Sequence, residues 1–452
     1  MTAGTSGQRP SAKREWGGGG GRTAFAAAFA YGAGPVLMLT TASVFIKPTI
    51  AATGWTTTEV LISPWLSLMF GVFSVIAGRV ADRRGVKLTA GLGLVAYTIL
   101  LVVFAIIPSN LFLFYTVAAF IGFFGSFGYL VVLNRAIVPW FEKSIGTAFG
   151  LVGAGGTLMP FAGVPLVSWA VYSWGWHTGY LVLAAFSLVI AIPAVLFGIV
   201  KPMPGEGVQV SAAAAVEEAD AGVAPEGQVP LDGDGRTVRD VLKMPRFWAL
   251  MFANLFVAGA ANAFLSNMAP ILLDGGLGVV AATVITSVFS VGAVAGRLGG
   301  GFLLDVVSRY KAAYILLGIS LIGALLLTQA RLLPVVLVGL GAILVSVNQG
   351  AEGDIIAYFV VREYPRSRFG TLFAVSYIAS GIGGLLFPIA FGQIIDRTGS
   401  YTGAIWLGAG LFVVGMALFT VQRLLPGAGD LRSGRNLGSR AAEPIAASVI
   451  EA

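Results

Sequence analysis

The chain is built from long, unbroken apolar runs. About twelve can be marked off in its 452 residues, near 25–50, 60–81, 88–107, 111–134, 145–171, 179–199, 247–272, 279–304, 312–330, 333–360, 368–394 and 401–422. Each comes close to the ~20 residues that an α-helix needs to cross the hydrocarbon core of a bilayer. Lipid satisfies no backbone hydrogen bond, so each run is predicted to be a helix. A membrane barrel is excluded, because its short strands alternate apolar with polar residues. Composition agrees: 57% of residues are hydrophobic and 11% charged, against about 25% charged in a soluble domain. The expected fold class is an all-α membrane protein with twelve transmembrane helices.

The net charge of +7 comes from 28 Lys and Arg against 21 Asp and Glu. Its distribution argues against a nucleic-acid partner. With the N-terminus placed in the cytoplasm, Lys47, Arg331 and Arg397 fall on the outer side, and Arg135 and Arg297 fall inside helices. The remaining 23 of the 28 basic residues fall on the cytoplasmic side. This is the positive-inside bias, and it predicts cytoplasmic N- and C-termini in a multi-pass protein of the cell membrane. There is no cysteine, which excludes disulfides, thiolate catalysis and Cys-ligated metal. No zinc, nucleotide or hydrolase pattern is present, so neither a cofactor nor an enzymatic activity is expected.

The runs fall into two blocks separated by a polar stretch rich in Ala, Glu, Asp, Gly and Pro. This gives a disordered tail at 1–22, a six-helix bundle at 23–200, a flexible cytoplasmic linker at 201–246, a second bundle at 247–424 and a disordered tail at 425–452. The segment Thr237–Arg246 has the pattern of a short amphipathic surface helix. The first run is too long for a signal sequence and is read as an uncleaved helix.

The two blocks are repeats of one another. Gly78-Arg-Val-Ala-Asp-Arg-Arg-Gly-Val-Lys87 is echoed by Gly301-Phe-Leu-Leu-Asp-Val-Val-Ser-Arg-Tyr-Lys311, with Asp82 and Asp305 offset by 223. Ser144-Ile-Gly-Thr-Ala-Phe149 matches Arg368-Phe-Gly-Thr-Leu-Phe373, with Gly146 and Gly370 offset by 224; Gly54 and Gly278 repeat that offset. Six helices repeated in parallel is the plan of a large transporter class, whose substrate site lies near mid-membrane between the halves.

Gly78, Asp82, Arg83, Gly85 and Lys87 resemble the signature between helices 2 and 3 of the major facilitator superfamily. The resemblance implies the major facilitator fold and a gating motif, in which Asp82 caps a helix end and pairs with arginines while Gly85 makes a tight turn. The second copy keeps Gly301, Asp305, Arg309 and Lys311 but has Ser308 at the glycine position. Within that superfamily the chain is similar to the monocarboxylate transporters and oxalate–formate antiporters. That likeness rests on Phe45-Ile-Lys-Pro48 with Gly54-Trp55-Thr56, Trp140–Gly146, Gly175-Trp176, Thr237–Trp248 and Asp396–Tyr401, and it departs at His177, where arginine is common.

Charges in membrane helices are costly and mark functional sites. Arg297 lies five to seven residues inside the eighth run, among apolar and glycine residues. The resemblance implies that it binds a substrate carboxylate, for which a guanidinium fork is suited. The alternative is an ion pair with Asp305 or with a carboxylate of the tenth run. Ala293 stands where the group often has aspartate, and 371–393 contains no lysine, so a single carboxylate is favoured over a dicarboxylate.

Arg135 is either a second anion contact or the partner of Asp82. Glu352 and Asp354, about 200° apart on a helix, are either proton-coupling groups or ion-pair partners of Arg297 and Arg362. Further polar candidates are Tyr31, Tyr129, Asn134, Asn254, Asn262, Asn267, Asn348, Gln349 and Tyr377, with Tyr31, Asn262 and Tyr377 set beside Arg297 as substrate contacts.

The resulting expectation is a secondary active carrier of a small organic anion, coupled to protons and working as a monomer by alternating access. The rivals are an anion exchanger or a drug or metabolite exporter on the same scaffold, and a non-transporting membrane sensor.

Overall fold

A computed structural model describes residues 15–17, 19–56, 59–60, 70–202 and 237–425. The helices are α1 (Gly19–Ala33), α2 (Pro35–Thr53), α3 (Phe70–Arg84), α4 (Val86–Ala105), α5 (Leu111–Gly125), α6 (Leu130–Ile137), α7 (Ile145–Trp174), α8 (Trp176–Phe186), α9 (Val238–Leu242), α10 (Pro245–Asp274), α11 (Val279–Val306), α12 (Arg309–Thr328), α13 (Val335–Glu363), α14 (Phe369–Thr398) and α15 (Thr402–Leu424). Among the described residues there is no strand, and eleven helical spans are long and apolar enough to cross a membrane. The run at 60–81 is described only in part, as Val60 and the segment from Phe70 on; most of the linker and the ends of both tails also lie outside the described residues.

Local chemistry sets the boundaries. Pro35 and Pro245 open α2 and α10, where a missing N–H costs nothing. Asn110 caps α5 by accepting from the Leu113 N–H at 3.1 Å. Thr237 and Asp240 form a reciprocal capping box on α9, so the expected short helix is present. Two departures matter for function. The fourth span is interrupted: Ser126–Gly128 is a 3₁₀ turn and Tyr129 is extended before α6 begins. The sixth span passes from α8 into two π-helical stretches, Ser187–Ala191 and Ala194–Gly198.

The tail expected at 1–22 requires a correction. Helix α1 starts at Gly19, and Glu15, only 4% exposed, is hydrogen-bonded into the bundle. A glycine-rich, polar stretch reads as disordered because composition does not register a single carboxylate finding several donors.

The halves meet along α7 with α11 and α13, and along α14 with α3 and α6. Lipid gives no hydrophobic drive for such packing, so close approach of small residues carries it. Gly146 faces Gly301, and Gly78 faces Gly370; a methyl group on Gly78, Gly146 or Gly301 would collide with the opposing carbonyl. Nearly all of 145–155 in α7 and 369–380 in α14 is buried, and beyond these stretches both helices become largely accessible. Among the described residues the two helices thus lose their burial at equivalent places, and the halves are closed together at the end carrying Asp82 and Asp305.

Candidate functional site

Two structures stand out along this interface. The first is at its closed end. Asp82 accepts from the Gly370 N–H (3.1 Å), the Thr371 N–H (3.0 Å) and the Thr371 hydroxyl (2.9 Å). Asp305 accepts from the Gly146 N–H, the Thr147 N–H and the Thr147 hydroxyl, each at 2.7 Å. Each aspartate therefore caps the first turn of a helix in the opposite half, where free N–H groups and the helix dipole favour negative charge. Arg135 Nε lies 3.0 Å from Asp82 Oδ1, with Asp82 almost wholly buried. This closes the first latch with an ion pair as well as a cap.

The turns between the paired helices are built differently. Gly85 adopts φ +85°, which suits glycine, whereas Ser308 sits at φ −61°, ψ 141°, open to any residue. The loss of glycine in the second copy is therefore harmless to its turn. Arg83 and Lys87 are exposed. Arg309 belongs to another cluster, 3.0 Å from Glu363 Oε1. Arg246 (3.0 Å), Tyr310 (3.1 Å) and Gln422 (2.6 Å) also converge on Glu363.

The second structure lies deeper. Arg297 is nine residues from the end of α11, roughly 14 Å along the helix axis, which places it near mid-bilayer. A methyl group on Gly153 of α7 would collide with Arg297 Nη1 and stand 3.3 Å from Asp354 Oδ1. Gly153 therefore leaves the gap into which both charges project. Asp354 is fully buried, and neither of its oxygens has a hydrogen-bond partner among the described residues; the same holds for Arg297 Nε and Glu352 Oε2. Arg297 interacts electrostatically with Asp354, Tyr31, Tyr377 and Glu352. The Tyr129 phenol lies beside those of Tyr31 and Tyr377. The rings meet edge to face, with centroids 5.4 Å apart for Tyr31–Tyr129 and 6.0 Å for Tyr129–Tyr377. One cation, two carboxylates and three phenols thus gather where α1, α6, α7, α11, α13 and α14 meet.

Residues 23–388 match the sequence profile of the Major Facilitator Superfamily. The chain belongs to this superfamily. It is 22% identical over 368 residues to a hexuronate transporter of Bacillus subtilis, covering 78% of this chain and 82% of the relative. It is 25% identical over 342 residues to an uncharacterized transporter of the same superfamily, YhjX of Escherichia coli, covering 71% and 75%. Among solved structures it resembles the fucose:proton symporter of E. coli, with a TM-score of 0.64, 14% identity, and 89% and 98% of the two chains covered. The human organic anion transporter MFSD10 gives a TM-score of 0.62 at 14% identity, with 91% and 100% covered. At these identities the structural likeness is one of fold.

In this major facilitator the residues singled out by sequence divide into two groups. Tyr31, Arg297, Glu352, Asp354 and Tyr377 come together, and Arg135 lies at the latch instead. Asn262 donates to the Ala258 carbonyl of its own helix at 2.9 Å and faces Gly384, two turns along α14 from Tyr377. Asn267 bonds Ala263 in the same way. Asn254 ties α10 to α14 through the Ser376 carbonyl and the Ser380 hydroxyl, both at 2.8 Å. Asn348 ties α13 to the Val257 carbonyl at 3.2 Å. Asn134 is fully buried, with neither amide atom paired among the described residues. Tyr129 was visible in the sequence only as one polar residue among many; the signal that could have raised it is the flanking Gly125-Ser-Phe-Gly128, which breaks the helix.

Proposed function

We propose that the protein is a secondary active carrier of a small organic monoanion of the monocarboxylate type, driven by protons and working as a monomer by alternating access. The observation that carries this reading is Arg297 with Asp354, Glu352 and the three tyrosines at the junction of the halves. A permanent cation beside the buried, unpaired carboxylate of Asp354 and the half-buried one of Glu352 has use for both an anion and a proton. The anion takes the guanidinium, and a proton offsets the charge that a buried carboxylate would otherwise carry through the membrane. The phenols supply hydrogen bonds to the remainder of the substrate. A relative named as a hexuronate transporter fits the same chemistry, since a hexuronate is one carboxylate on a hydroxylated ring.

The positive-inside distribution favours a cell-membrane protein with both termini cytoplasmic. In that orientation the latched end is cytoplasmic, and the latches of Asp82 and Asp305 support reading it as the closed side.

Flux into proteoliposomes, screened across monocarboxylates, sugar acids, dicarboxylates and neutral sugars, tests the proposal. Uptake of a monoanion that collapses when the pH gradient is dissipated is expected; uptake of neutral sugars alone sinks it. Asp354→Asn is expected to abolish proton-driven accumulation while keeping exchange of labelled for unlabelled anion, with the pH dependence flattened. Undiminished accumulation would remove Asp354 from coupling.

A further inference from the structure

The first latch partner of Asp305 is the start of α7, and the turn leading into it is held from a third direction. Glu15 Oε1 accepts from the Glu142 N–H at 3.1 Å and the Lys143 N–H at 2.9 Å. Its Oε2 accepts from the Ser144 N–H at 3.0 Å and the Ser144 hydroxyl at 2.6 Å. A carboxylate with four donors is a strongly fixed group, and Glu15 is 4% exposed. The segment around it is docked as well. Trp16 packs edge-on against Phe141 with centroids 4.9 Å apart, Gly19 lies against the Trp140 ring, and the Thr23 hydroxyl accepts from the Val200 N–H at 3.3 Å.

What Glu15 folds is the stretch that both elements of the opposite half grasp. Arg362 of α13 donates to the Glu142 carbonyl. Four residues further on, Asp305 takes the N–H groups of Gly146 and Thr147. Three N–H groups used by Glu15 and two used by Asp305 lie within residues 142–147, so the turn's path decides whether the latter two point across the interface.

We propose that Glu15 is a positioning residue of the transport cycle: it shapes the 142–144 turn so that α7 presents its first N–H groups to Asp305 and the Glu142 carbonyl to Arg362, and thereby sets how long the latched end stays shut. The N-terminal segment acts on the gate from within its own half, without crossing the interface itself.

The lack of cysteine in the chain gives a direct test that needs no substrate and stands apart from the transport reading. Leu304 is fully buried, with its Cβ near Gly146; in a Leu304→Cys background, the rate of maleimide labelling of purified full-length protein reports opening of the latched end. Glu15→Gln is expected to raise that rate about 5-fold or more, within the range of ordinary coupling between sites, and Glu15→Asp to recover part of the difference. Arg362→Ala is expected to raise it too, and the double variant to fall short of the product of the two, because both act through one turn. Should Glu15→Gln fail to accumulate, Ser144→Ala, which deletes only the 2.6 Å contact, is expected to move labelling in the same direction by less. A folded Glu15→Gln or Ser144→Ala protein that labels at the parental rate overturns the proposal, as does a double variant whose effects multiply independently.

Discussion

The two latches are copies of one device that differ in whether an arginine pairs with the aspartate. Both aspartates hold two N–H groups and a threonine hydroxyl of the opposing helix. Asp82 also holds Arg135; 224 positions on, the second half has Phe359. Asp305 has no arginine within ion-pair distance among the described residues, and its three bonds are shorter than those of Asp82. A carboxylate shared between a guanidinium and a helix terminus grips each less closely. Duplication preserved the cap, which geometry imposes on both halves, while the charges of the interior arose in one half only. Arg297, Glu352 and Asp354 stand opposite Phe73, Gly128 and Leu130 in the other repeat.

This separation of latch from interior can be broken or sharpened experimentally. Arg297→Ala should have the largest effect, lowering uptake by at least about 100-fold, because it removes the cation from the buried Asp354 and half-buried Glu352 carboxylates; Arg297→Lys should recover only a fraction. Labelling at Leu304→Cys should stay near parental in both, and a large change there would show that site and latch are not separable. Next come the aspartates. Asp82→Asn loses an ion pair and a charged cap and leaves Arg135 half-buried and unpaired, for roughly 2–4 kcal/mol of closed-end stability. Asp305→Asn loses the charged cap and the longer-range attraction of Arg362, about 1–2 kcal/mol. The same labelling assay ranks the two, and the reverse order would overturn the assignment of the extra strength to Arg135. Arg135→Ala should cost about 1–2 kcal/mol and bring the Asp82 latch close to its sibling.

The smallest effect is expected at a cap outside both latches. Hydrogen bonds from the Thr237 side chain and backbone hold the Asp240 carboxyl below its usual range. A lowered value means that the cap's contribution is complete above the ordinary carboxylate range and is lost as pH falls through the folded value. Amide protection in α9, the observed exchange relative to the intrinsic rate at each pH, should therefore fall at acid pH in the parent, whereas in Asp240→Ala it should be low throughout, with latch labelling unchanged.

Much of this was legible in the sequence. Apolar runs bounded by charge, proline and glycine placed most helix ends within a few residues, because the bilayer admits few alternatives. The 223–224 offset disclosed the duplicated aspartates, and Arg297 stood out as an arginine where hydrophobicity should prevail. What stayed hidden depends on pairing across long separations. Nothing in Gly78–Lys87 says that Asp82 seizes Gly370 and Thr371, since a cap's identity lies in the helix it meets. Glu15 in a glycine-rich tail has the composition of disorder. The break at Ser126–Tyr129 is short and lies inside a run that is otherwise continuously apolar, so the run reads as one helix.

That break has a mechanical consequence. Tyr129 and Arg135 ride on one short rigid rod: the tyrosine is the N-cap of α6 and the arginine sits six residues on, roughly 9 Å at the helical rise. The 3₁₀ turn and the extended Tyr129 separate the rod from α5 in the hydrogen-bond ladder of their span. One tip touches Tyr31 and Tyr377 in the interior, and the other holds Asp82 at the closed end. The interior and the Asp82 latch are thus joined by one helical segment, the route that any coupling breaking their separation would take.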